Sequence, residues 1–123
     1  MSDAGESSRS WHLYVHDMIQ FGENVMSFTD GMDMAAFGDD ARTYHAVLRN
    51  LELIGEAATH VPLVVRGAFP EIDWRRIVGL RNRLAHAYFR IDDNILWDII
   101  AKDIPRLLPQ LRHLIETAGR EGE

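Results

Sequence analysis

The chain has 123 residues, no cysteine and a formal net charge of −6. That length supports one domain with its own core, and the lack of cysteine removes disulfide frameworks and thiolate metal sites, which suits a cytoplasmic protein. No apolar run reaches the roughly 18 residues of a membrane span and the start of the chain lacks a signal-peptide core, so no membrane partner is expected. The acidic balance argues against a coat protein that binds nucleic acid regardless of sequence, and leaves room for a small basic site on an acidic body.

Residues 1–9 are small and polar and read as a disordered lead-in, 10–118 as a helical domain, and 119–123 as a frayed tail. Ser10 can cap a first helix running to about Phe28, with Trp11, Tyr14, Met18, Gly22 and Val25 recurring at helical spacing. His12 and His16 stand four apart, as two metal ligands on a helix turn would, but no third ligand is near in sequence. A solvated face is the simpler reading, and no metal site is expected. Thr29 to Asp40, rich in Asp and Gly, reads as a connector whose acids serve a turn and a helix cap.

From Ala41 to about His60 the stripe Val47, Leu51, Ile54 and Ala58 predicts a second long helix. Its other face carries His45, Arg49, Glu52 and Glu56, which are either ion pairs on a wet surface or a subunit surface receiving Arg81 or Arg83. Val61-Pro62 opens a short third helix and Phe69-Pro70 closes it. Asp73 can cap a fourth helix, and Asp92 or Asp93 a fifth that carries Ile95, Leu96, Ile99 and Ile100 beside Trp97. Pro105 must kink or restart that last helix, with Asp103 placed to cap the restarted segment. No stretch alternates with period two. The expected fold class is all-α, an up-and-down bundle of about five helices.

The fourth helix is the chemical centre. Between Trp74 and Arg90 lie five arginines and no acidic residue. Such an island on an acidic chain implies an anionic contact, or else docking onto the protein's own acidic helices. On one continuous helix, Trp74, Ile77, Val78, Leu84 and Ala85 form an apolar stripe with Arg81 in its middle, so Arg81 is expected to meet a carboxylate, a phosphate or a subunit interface. Asn82 and His86 share another flank, with Gly79 leaving a notch one turn earlier. Arg81 and His86 stand roughly 140° apart on an ideal helix, so a second copy of the chain would help bring both to one phosphate.

Cutting RNA without a metal requires a base for the 2′-hydroxyl, an acid for the leaving 5′-oxygen and cations for the phosphorane charge. Histidine can move the protons near neutral pH, arginine can grip and stabilise the phosphate, and Asn82 can orient the imidazole. Neither a metal nor a cofactor is called for. The expected ends are a 2′,3′-cyclic phosphate and a 5′-hydroxyl. The plainer reading of the same residues is a buried ion pair at Arg81 and a dipole-compensating histidine at a helix end.

The run Arg81-Asn82-x-x-x-His86-x-Tyr88 resembles the motif of the HepT-like branch of the HEPN superfamily, the toxin half of HepT/MntA toxin–antitoxin pairs. Asn50-Leu-Glu-Leu-Ile-Gly-Glu-Ala-Ala58, Phe69-Pro-Glu-Ile-Asp-Trp74, Arg90-Ile-Asp92, Trp97 and the later Asp-Ile-Pro105 follow the family's order and spacing, so the resemblance spans roughly 11–116. It implies a HEPN-like helical homodimer and a metal-independent ribonuclease whose site forms between subunits. Arg81 and His86 would be catalytic and Asn82 supporting; Arg75, Arg83 and Arg90, from the basic island itself, are the expected RNA-binding arginines. Tyr88 matches the tyrosine that an MntA-like nucleotidyltransferase antitoxin adenylylates. The rival reading is a non-catalytic helical module that binds its nucleotidyltransferase partner or a nucleotide.

Overall fold

The computed structural model describes residues 10–88 and 93–121, and every regular element among them is helical. The lead-in expected over 1–9 lies outside the described residues. The first helix, α1 (Trp11–Phe28), begins where the Ser10 hydroxyl accepts the His12 N–H at 3.2 Å, and buries Val15, Met18, Gly22 and Val25. It ends in a turn in which Gly31 takes φ 78°, a left-handed conformation that costs glycine nothing.

The expected connector contains a helix, α2 (Met34–Asp39). Asp33 caps it by accepting the Ala36 N–H at 2.8 Å, and the element drives Phe37 into the core against Tyr44 and Trp97. Asp40 then caps α3 (Ala41–Ala58), the central helix. The Thr43 backbone N–H bonded to the Asp40 carboxyl holds its pKa below the ordinary value. The predicted stripe is buried, and Tyr44, Leu48 and Gly55 join it. The Arg66 guanidinium donates to the carbonyls of Ala58, Thr59 and Val61, satisfying oxygens that the end of α3 would leave bare. Arg66 itself belongs to α4 (Leu63–Ala68).

The helix expected to start at Trp74 is two helices. Asp73 caps α5 (Trp74–Val78), accepting the Arg76 N–H at 3.1 Å. The chain breaks at Gly79 and resumes as α6 (Leu80–Tyr88). The break moves the buried face to Trp74, Ile77, Leu80 and Leu84, while Val78 is half-buried and Ala85 exposed. Arg81 is therefore exposed and not set in an apolar stripe. Gly79 closes α5, donating its N–H to the Arg75 carbonyl at 3.0 Å, and its own carbonyl accepts the Asn82 N–H at 3.1 Å.

Gly55 accounts for the new face. A β-carbon there would stand 3.2 Å from the Ile77 carbonyl oxygen and 3.4 Å from the Leu80 β-carbon, so α3 lies against the α5–α6 corner with no side chain between. Gly55→Val is expected to destabilise the fold by about 1–3 kcal/mol through overpacking, read as a lower urea midpoint. An unchanged midpoint would mean that the corner gives way freely.

The last helix is longer than expected and is not restarted at Asp103. It runs as α7 (Asp93–Asp98), a π-turn (Ile99–Asp103) and α8 (Ile104–Glu121). Pro105 has no N–H to offer, and in a regular helix its ring would strike the carbonyl four residues back. The widened turn just upstream, with the Ile104 N–H bonded to Ile99, accommodates it. Asp103 thus lies inside continuous helix and caps nothing. Helix α7 starts at Asp93, whose carboxylate accepts the Tyr44 hydroxyl at 3.0 Å, while Asp92 lies outside the described residues. Where a frayed tail was expected from 119, the helix reaches Glu121, and 122–123 lie outside the described residues. The described residues therefore hold more helices than the five expected.

The long elements pack α1 against α3, with α8 on α1 and the α5–α6 corner on α3. An Arg112–Glu23 pair at 2.7 Å ties α8 to α1. Among the described residues, no helix is long and apolar enough to cross a membrane.

Candidate active site

Helix α6 is held from below by Leu80 and Leu84, which are buried, and presents Arg81, Asn82 and Ala85 to solvent. No hydrogen bond or ion pair joins the Arg81 or Asn82 side chain to another described residue, so both are open to a ligand or a second subunit. Positions 82 and 86 are one turn apart along this helix. The side chains of His86 and Tyr88 lie outside the described residues, as does the whole of Arg90, so the orienting contact expected from Asn82 to His86 lies there too.

Two depressions flank α6. On one side, Arg81 borders a groove of about 260 Å³ whose other walls are Arg49, Glu52, Leu53 and Glu56 of α3. Glu52 is paired with Arg49 at 2.8 Å, and Glu56 stands 3.7 Å from His60. The acidic face of α3 thus borders Arg81 within a single chain. Within the single chain it does not meet Arg83, which is bonded to Asp103.

Arg83 turns to the opposite side of α6. There one oxygen of Asp103, Oδ2, accepts both Arg83 Nη1 at 3.1 Å and Arg76 Nε at 3.0 Å. The Arg83 and Asp103 side chains are each 25% exposed, whereas Arg76 is 48% exposed, so the bridge fixes geometry more than it adds stability. Each guanidinium keeps most of its five donors. Arg75 is exposed on the same side. The sequence reading named Arg75 and Arg83; the structure sets Arg76, Lys102 and Arg106, which it did not name, on the same side, with Asp103 bridging Arg76 and Arg83. The one signal that pointed there was Pro105, which rules out a regular turn just where Asp103 sits.

The two histidines of α1, His12 and His16, join no metal-binding cluster among the described residues. His12 Nδ1 lies 2.7 Å from the Ser10 hydroxyl, and its ring stacks on Trp11. Among the described residues, no group of three or more His, Asp or Glu side chains is placed to hold a metal ion.

An all-helical chain with Arg-Asn on an exposed helix, followed one turn later by His, has the outline of a HEPN-superfamily protein. The family model described as "Ribonuclease HepT-like" matches residues 18–114, and the chain belongs to that family. "Putative RNase MJ1380" of Methanocaldococcus jannaschii is 37% identical over 101 residues, covering 82% of this chain and 93% of the relative. "Probable ribonuclease HepT" of Thermococcus cleftensis is 38% identical over 99 residues, covering 80% and 90%. "Putative RNase TTE0752" of Caldanaerobacter subterraneus subsp. tengcongensis is 31% identical over 103 residues, covering 84% and 92%. No solved structure matches the chain significantly.

Proposed function

We propose that this chain is a cytoplasmic, metal-independent endoribonuclease toxin that cuts RNA as a homodimer, with Arg81 and His86 as its catalytic residues. The observation that carries this reading is the exposed Arg81–Asn82 pair, without a partner among the described residues, on a helix whose underside is locked into the core. Arg81 stands in solvent instead of being buried against a carboxylate, so its guanidinium is free to meet a phosphate. Arg81 is left open near a histidine little more than one turn further along, in a chain of the HepT-like ribonuclease family.

In this mechanism one His86 takes the proton of the 2′-hydroxyl as that oxygen attacks phosphorus. The His86 of a second copy gives a proton to the departing 5′-oxygen, and Arg81 neutralises the charge building on the phosphoryl oxygens. Bond making and breaking balance within the RNA, leaving a 2′,3′-cyclic phosphate and a 5′-hydroxyl. Asn82 orients the imidazole, and Arg75, Arg83 and Arg90 hold the backbone. The exposed face of α6, with small Ala85 one turn from Arg81, suits close approach of a second copy. A nucleotidyltransferase antitoxin of the MntA type would silence the enzyme at Tyr88.

Purified protein in a chelator should shorten RNA and leave cyclic-phosphate ends. Intact RNA at high protein concentration would remove the nuclease reading and leave a binding module. Light scattering at micromolar concentration is expected to give about twice the 14.1 kDa chain mass. A stable monomer that still cuts RNA would remove the two-copy site.

A further inference from the structure

The depression on the Arg83 side of α6 is the larger one, a cleft of about 760 Å³ between the α5–α6 corner and the π-turn with the start of α8. Five cationic side chains line it, Arg75, Arg76, Arg83, Lys102 and Arg106, against three carboxylates, Glu71, Asp73 and Asp103. Two of those carboxylates are already committed. Asp73 caps α5, and Asp103 bridges Arg76 and Arg83. Arg75 and Arg106 make no ion pair with another described residue, and the Lys102–Asp98 contact is 3.5 Å long between well-exposed groups. On a chain of net charge −6, this is a local excess of positive charge with two guanidiniums pre-oriented by a shared acid.

We infer that this cleft is a second anion-binding site that holds backbone phosphates of single-stranded RNA flanking the bond to be cut. The inference rests on the nuclease reading and extends it. Leu80 and Arg83 of α6 face the cleft while Arg81 faces the other groove, so the two sites are separated by about the width of a helix, roughly 10 Å. A phosphate in the cleft therefore belongs to a different nucleotide from the one at Arg81, and the strand crosses α6 between them. Guanidiniums with free paired donors suit phosphate oxygens, and the open, wet rim suits a sugar–phosphate chain. Lys102 and Asp103, in the π-turn, and Arg106, at the start of α8, line this wall together.

The test uses the full chain and a 2′-O-methyl RNA oligomer, which binds but has no nucleophile with which to be cut. Lys102→Glu/Arg106→Glu reverses two exposed charges while leaving the Asp103 bridge intact, and its thermal melt verifies the fold. Its affinity is expected to fall about tenfold, and the slope of log affinity against log salt to shrink by about 0.7 for each phosphate that the cleft no longer holds. Wild-type affinity and slope in the variant, or a wild-type protein with no affinity for the oligomer, overturns the assignment. So does a variant that keeps its RNA affinity but loses a co-purifying nucleotidyltransferase, since the cleft would then dock a protein. Cleavage of ordinary RNA by the wild type is scored separately. A protein that binds and does not cut, with binding lost in the variant, keeps the cleft and removes the nuclease reading.

Discussion

His86→Ala is expected to lower the rate of RNA cleavage by about 10²–10⁴-fold with the helical circular dichroism unchanged, because a positioned proton-transfer group typically contributes that much. Arg81→Ala is expected to cost about 10²–10³ for the lost stabilisation of charge at phosphorus. Its effect on folding should stay within about 0.5 kcal/mol, as for other surface changes, because no described carboxylate is left bereaved. Rate and stability therefore separate cleanly at this position. A His86→Ala protein that cuts as fast as wild type would remove the catalytic assignment, whatever the family relationship.

Tyr88→Phe is expected to yield a toxin that cuts RNA at the wild-type rate and that a co-expressed nucleotidyltransferase fails to silence. In the proposed reaction the phenol oxygen attacks the α-phosphorus of ATP, a new O–P bond forms, pyrophosphate leaves and the phenolic proton is released. Tyr88 ends α6, the helix that also carries Arg81 and Arg83. The new phosphate would carry negative charge into the neighbourhood of those guanidiniums and compete with the RNA backbone for them. Modification should thus abolish RNA binding as well as cleavage. Mass spectrometry of wild-type protein co-expressed with an MntA-like nucleotidyltransferase should show one adenylyl group at Tyr88, and the Phe variant should arrest growth in the same cells. An unmodified Tyr88 in a fully silenced complex would point to simple occlusion.

The long helices were legible because their caps and stripes coincide. Ser10 and Asp40 each stand one residue before a run with helical periodicity, and both cap in the structure. The segment 34–39 was not legible, since one buried residue, Phe37, is too little periodicity to show in an Asp- and Gly-rich stretch. The break at Gly79 was hidden for the opposite reason. Two short helices whose apolar residues overlap in phase mimic one longer helix, and the side that is buried is the one against which α3 closes at Gly55. At the site, motif spacing located Arg81, Asn82 and Arg83 on one helix. It could not find the acid that organises Arg83, because Asp103 is 20 residues away and reaches α6 through a widened turn.

Gly55 also bears on how the site tolerates change. With a bare backbone against the Ile77 carbonyl, residue 55 acts as a spacer of zero thickness under the α5–α6 corner. Its neighbours in sequence, Glu52, Leu53 and Glu56, form the opposite wall of the groove that Arg81 borders. Any side chain at 55 would lift the arginine-bearing helix as a shim lifts a shaft, and change the width of that groove with no group at 55 ever meeting RNA. Loss of activity on substitution there, with a protein still folded, would be a fault of alignment in which every reactive group remains present and the distance between the two walls is wrong.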